Sequence, residues 1–136
     1  MYTVKEVSEI LNLSEHTIRY YTDQGIVEVK RDQNNRRLFD EQAIDWLRGA
    51  RYLKGLGMSI EDIKQFHALC KQDGDEAIQA RLDILLKQQT QALEELEHAK
   101  KRVEYLNHKI EKERKVLQHL IPDSQNPNKK NYSNNE

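Results

Sequence analysis

The sequence predicts a mainly α-helical protein: a winged helix-turn-helix with a short β-hairpin wing, followed by a long dimerising coiled-coil helix. Three observations carry this. Two short capped helical segments are separated by a tight turn. The apolar period then changes from helical to alternating around a turn-rich run. Finally, from Asp75 to about Leu120 there is no Gly or Pro, and apolar residues recur in alternating threes and fours.

Thr3-Val4-Lys5-Glu6 has the form of a capping box, a hydroxyl with a Glu three residues on. Val4, Val7, Ile10 and Leu11 follow at helical spacing, which predicts a helix to about Leu11. Asn12-Leu13-Ser14 reads as a turn with Ser14 as the next cap. A second helix is expected over residues 15–24, with Ile18 and Tyr21 inward and Gly25 at its end. Residues 26–30 alternate apolar and polar, which predicts a strand. Residues 32–35 favour a turn, and Arg36-Arg37-Leu38-Phe39 can return as the second strand. A lone hairpin is marginal in water, so this wing must pack on the helices.

Asp40 caps a third helix whose inward stripe is Ala43, Leu47, Ala50 and Leu53, with Trp46 beside it. Ser59 starts a fourth, with the stripe Ile60, Ile63, Phe66, His67 and Cys70. Asp73-Gly74-Asp75 breaks it. On the long helix, Ile78, Leu82, Leu85, Ala92, Leu96, Ala99, Val103, Leu106, Ile110, Leu117 and Leu120 share one heptad register. Only Gln89 and Glu113 are polar in it. A helix spanning about six heptads, roughly 65–70 Å long, cannot bury its own seam. The simplest partner is a second copy, giving a two-fold dimer. The expected organisation is a DNA-binding head at 1–74, a dimerisation helix at 75–121 and a disordered tail at 122–136.

Composition narrows the function classes. The chain has 22 basic and 23 acidic residues, a net charge of −1 and 37% apolar residues. No apolar run reaches the roughly 20 residues of a membrane span, and the start alternates too early for a signal peptide. The expected compartment is the cytoplasm. One cysteine forms no internal disulfide. Residues 1–58 carry nine basic and nine acidic residues, as do residues 75–121. Bulk attraction to nucleic acid is therefore absent, and DNA binding must rest on placed residues. The second helix would present His16 and Thr17 to base edges. Arg19 and Tyr20 would reach phosphates. Arg36 and Arg37 on the wing, with Lys30 and Arg31 at its base, would grip the backbone.

Together these segments resemble the MerR family of bacterial transcription regulators. Tyr2-Thr3-Val4-Lys5-Glu6-Val7 is similar to the family's opening. Ser14-Glu15-His16-Thr17-Ile18-Arg19-Tyr20-Tyr21, followed by Gly25-Ile26, resembles its recognition helix. Arg37, Leu38 and Phe39 resemble the wing's ending, and Leu56-Gly57-Met58-Ser59-Ile60-Glu61-Asp62-Ile63 its later signature. The resemblance extends to about Leu120. Thr22 departs from it, standing where an acidic residue is usual. Asn35-Arg36 stands where the wing often has Gly and an aromatic.

The resemblance implies an antiparallel coiled-coil dimer on double-stranded promoter DNA. The dimer bends and untwists an overlong spacer so that RNA polymerase engages both promoter elements. Thr3, His16, Thr17, Arg19, Tyr20, Lys30, Arg36, Arg37 and Phe39 are the DNA-binding candidates. Leu82, Leu85, Leu96, Val103, Leu106, Ile110 and Leu117 are the dimerisation candidates. Fewer than twenty residues follow the long helix, so a small member without a drug-binding domain is expected.

For the signal, Cys70 is the candidate sensor, set against a purely structural thiol. The position aligned with the cysteine of thiol-sensing relatives is Tyr52. A small-molecule inducer is the other route, in a pocket lined by His67, Phe66 and Tyr52 between the head and the partner's coiled coil. His98, His108 and His119 are ten and eleven residues apart, too far to chelate on one helix. No metal, cofactor or enzymatic site is expected. The rival reading is a protein-interaction adaptor built on the same head and coiled coil.

Overall fold

A computed structural model of the chain describes residues 1–132, and within them it contains three strands and five helices. They are β1 (Tyr2–Thr3), α1 (Val4–Leu11), α2 (Glu15–Asp23), β2 (Lys30–Arg31), β3 (Arg37–Phe39), α3 (Glu41–Gly55), α4 (Ile60–Cys70) and α5 (Asp75–Leu117). The contacts divide the chain into two compact units, Met1–Ala92 and the residues from Leu93 onward.

Local hydrogen bonds start each helix of the first unit. Thr3 Oγ1 accepts from the Glu6 N–H while Glu6 Oε1 accepts from the Thr3 N–H, completing the capping box. Ser14, Asp40 and Ser59 accept from the backbone of Thr17, Ala43 and Asp62. Each cap satisfies a helix-end donor that would otherwise lack a partner. Asn12 closes α1 in the left-handed region at φ 52°, a conformation Asn tolerates.

The wing differs from the sequence expectation. The strand predicted over 26–30 shrinks to Lys30–Arg31. Ile26 donates its N–H to the Tyr21 carbonyl, so the chain is still finishing the helix there. Ile26 and Val27 are buried as loop residues. Their alternation reports burial and no strand pairing. Tyr2–Thr3 adds a third strand, giving the antiparallel order β1-β3-β2 with Tyr2 opposite Phe39 and Arg31 opposite Arg37. At the tip, Asp32 Oδ1 accepts from the Asn34 and Arg36 N–H groups, and Asn35 takes φ 59°.

Val7, Leu11, Ile18, Phe39, Leu47, Met58 and Ile63 are fully buried and join α1–α4 to the sheet. The first turns of α5 also belong to this unit: Ala77 is buried and Ile84 packs on the core. Gln88 on α5 donates to the Leu56 carbonyl at 3.0 Å. Gly57 beside it is required, because φ is 88° and a Cβ would lie 3.0 Å from Gln88 Nε2.

In the second unit α5 carries apolar residues in contact with water. Leu96, Val103, Leu106 and Ile110 are all exposed, at 52%, 54%, 55% and 44%. The helix stops at Leu117, and His119 at φ 60° turns the chain. Leu120, expected on the helical seam, therefore lies past its end. Residues 123–130 of the tail carry turn hydrogen bonds. Residues 133–136 lie outside the described residues. Within the described residues no helix is long and apolar enough to cross a membrane.

Candidate nucleic-acid interface

A groove of about 430 Å³ lies between the start of α1, the start of α2 and the wing. Lys5, Arg19, Arg31, Arg36 and Arg37 line it, with Thr3 and Glu15. Five cations from three elements thus meet around one concave surface. Arg19 is half exposed and paired with Glu15 at 3.3 Å. Arg36 is 72% exposed and paired with Asp32 at 3.1 Å. Such exposed pairs contribute about 0–1 kcal/mol each, so a phosphate can displace the carboxylate at little cost.

The helix-turn-helix sets the rest of the face. His16 is exposed on the first turn of α2, and Thr17 is half-buried behind it. Ser14 Oγ donates to Thr17 Oγ1 at 2.8 Å, which leaves the Thr17 hydroxyl proton available. Tyr20 is 43% exposed and leans on buried Tyr21, their centroids 6.2 Å apart. Thr3 sits at the groove, but its hydroxyl is already the α1 cap.

Three of the expected residues take different places. Phe39 has no exposed surface. It cannot touch a nucleic acid, and its role is to hold β3 on the core. Arg37 lines the groove, but its guanidinium is mostly buried and donates to Asp23 at 2.9 Å. It ties the wing to the end of α2. Lys30 is exposed away from the groove and lines a different depression, with Ile26, Val27 and Trp46. Successive residues of a strand face opposite sides, so Arg31 reaches the groove and Lys30 does not. Lys5 was missed. Its signal was available, since it precedes Glu6 on the polar side of a helix whose inward residues are Val7 and Leu11.

The thiol and pocket candidates lie elsewhere in the first unit. Tyr52, Phe66, His67 and Cys70 all line a second cavity, with Leu85 of α5. Arg81 approaches Cys70 Sγ at 3.7 Å. Among the described residues no group of three or more His, Cys, Asp or Glu is placed to hold a metal.

Comparison with known proteins bears on this geometry. Residues 2–68 match the MerR HTH family regulatory protein model. An uncharacterized HTH-type transcriptional regulator of Haemophilus influenzae is 32% identical over 110 residues, covering 80% of this chain and 81% of the relative. Among solved structures, a MerR family transcriptional regulator from Listeria monocytogenes is 28% identical with a TM-score of 0.66, covering 90% of both chains. HiNmlR, a MerR family regulator lacking the sensor domain and solved bound to promoter DNA, is 29% identical with a TM-score of 0.63. That likeness covers 86% of this chain and 93% of HiNmlR.

Proposed function

We propose, since the chain belongs to the MerR family of helix-turn-helix regulators, that this DNA-binding transcription regulator acts as a dimer that bends and untwists promoter DNA. The observation that carries the reading is the convergence of Lys5, Arg19, Arg31, Arg36 and Arg37 on the groove beside the recognition helix. Each head would place the first turn of α2 in a major groove, with His16 and Thr17 toward base edges. The groove residues would clamp the backbone on either side and fix the register. Two heads joined through α5 would grip two half-sites. Distorting the spacer between them is paid from those contacts, so sequence-dependent stiffness becomes part of the specificity.

The near-zero net charge agrees with this mode. Long-range attraction is weak, and affinity comes from a few cations doubled by two-fold symmetry. The exposed seam of α5 supports the dimer. Pairing Leu96, Val103 and Leu106 with their counterparts would remove from water surfaces that one copy leaves exposed. Leu82, Ile110 and Leu117 extend the same stripe.

Gel-shift titration against the promoter duplex of the protein's own operon tests the reading. The expected result is tight, salt-sensitive binding that exceeds binding to an unrelated duplex, with anomalous migration of circularly permuted fragments from bending. Equal affinity for both duplexes, or no shift at low salt, would overturn it.

A further inference from the structure

The cavity beside Cys70 is separate from the DNA-facing groove. It measures about 630 Å³ and is an open cleft bounded by α3, α4 and Leu85 of α5. Ligand sites run from about 300 to 1,000 Å³ and are mostly apolar with few polar groups. Here Trp46, Tyr52 and Phe66 supply aromatic walls, and Leu56 and Leu85 the aliphatic ones.

We propose that this cavity binds a small neutral aromatic molecule bearing one hydrogen-bonding group. The polar end is assigned to His67. That side chain is 5% exposed, its Nδ1 meets no partner at full hydrogen-bond geometry, and the Ile26 carbonyl is the one backbone group that hydrogen-bonds to the ring. Buried polar groups are otherwise almost always paired. Burial lowers the His67 pKa, the Ile26 carbonyl opposes that, and Lys71 adds to it. The imidazole is therefore neutral at pH 7, with one N–H and one lone pair. Trp46 packs against it, centroids 4.7 Å apart. Gly49 keeps a side chain off the other edge of the ring, where a Cβ would lie 3.6 Å from Nε2. Gly49 and His67 both line the cavity, so Nε2, the nitrogen beside Gly49, is the one a guest can meet.

Charge selects among guests. No Lys or Arg lines the cavity. Its one acidic residue, Asp45, is paired with Arg48 at 2.6 Å. The nearby cations, Lys71 at 5.9 Å from the Trp46 ring centroid and Arg81 at 3.7 Å from Cys70 Sγ, touch lining residues without lining the cavity themselves, so an anion would lose hydration for no direct ion pair. A neutral aromatic ring instead gains offset or edge contacts with three rings. The binding claim needs no DNA. Only its regulatory consequence, a ligand wedged between α3, α4 and α5 altering promoter distortion, rests on the function proposed above.

The test uses the full chain and ¹H–¹⁵N NMR, in which Trp46, the single tryptophan, gives the only indole signal. The probes are 2-naphthol, naphthalene and 2-naphthoate. Expected is a saturable shift of the Trp46 indole by 2-naphthol, with a dissociation constant on the order of 10–100 μM. Naphthalene should bind about fivefold to tenfold more weakly, and 2-naphthoate more weakly still. His67→Leu should abolish the preference for 2-naphthol over naphthalene. Tyr52→Ala, at an exposed position that does not endanger folding, should weaken both about threefold or more. It carries the test if His67→Leu does not fold. No saturable shift by 2-naphthol, equal binding of all three probes, or affinity untouched by Tyr52→Ala would overturn the proposal. Probe binding by a chain that shifts no promoter duplex would leave the proposal standing and sink only the DNA reading.

Discussion

The head and the long helix solve the problem of apolar surface in opposite ways. In the head, Val7, Ile18, Phe39, Leu47, Met58 and Ile63 reach zero exposure within one copy. Along α5 beyond Ala92, no apolar side chain among the described residues is fully buried. The head closes its core within one copy, with Ala77 of α5 buried and Ile84 packed on it. On the dimer proposed above, the helix is half of an interface, its charges solvating one side and its seam facing the second copy. The difference is one of burial and not of composition, since 30 of 74 residues in 1–74 and 17 of 43 in α5 are apolar, while residues 118–136 carry only three.

Substitutions can break this comparison. Phe39→Ala should cost the head about 3–5 kcal/mol, because it leaves a cavity at a fully buried site. Urea unfolding measures this, and a loss below about 1 kcal/mol would contradict the assignment of Phe39 to the core. Leu96→Glu with Val103→Glu should leave the head folded and weaken self-association by about 100-fold or more, since each seam side chain contributes roughly 1.5–3 kcal/mol on burial. Sedimentation equilibrium would show it. A concentration-independent monomer in the unsubstituted chain would remove the interface altogether.

Smaller changes sharpen the roles within the head. Arg36→Ala should lower the slope of log affinity against log salt by about 0.9 per half-site, with little change in sequence preference. Arg37→Ala should also lower thermal stability, because its guanidinium braces the wing on Asp23. An unchanged melting temperature would leave that brace without energetic weight. His67 gives a pH signature. Its pKa lies below the ordinary 6.5 in the folded chain. Below pH 6.5 the unfolded chain binds the extra proton and the folded one does not. Stability is then complete above 6.5 and falls as pH drops through the window down to the depressed folded value. Tyr or Phe at this site would flatten that fall in melts from pH 7 to 5. Cys70→Ser should change DNA affinity less than twofold, as a thiol outside the DNA-facing groove predicts.

Much of this architecture is legible in the sequence because it is set locally. The caps at Thr3, Ser14, Asp40 and Ser59 act within three residues, and the inward stripes follow from helical period alone. The wing is less legible because pairing is non-local. Nothing near Tyr2 announces Phe39 as its strand partner, and the loop Ile26–Val27 imitates a strand by alternating. Register then decides function. A one-residue reading of β2 exchanges Lys30 for Arg31 at the groove. Phe39 followed a family motif that fixes a position in the chain and not an exposure. The sequence expectation puts Tyr52, Phe66 and His67 around one pocket against the partner's coiled coil, and all three line one cavity within a single copy. The contribution of Leu85 to that cleft, and the approach of Arg81 to Cys70, needed the packing of α5.

The central claim is that two heads, joined by the α5 seam, grip one promoter. The most direct measurement is the mass of the protein–DNA complex by sedimentation on the own-promoter duplex, comparing the unsubstituted chain with Leu96→Glu/Val103→Glu. The account predicts two chains per duplex, with affinity for the seam-broken variant reduced about 100-fold or more. One chain per duplex, or a seam-broken monomer that binds with unchanged affinity, would contradict it.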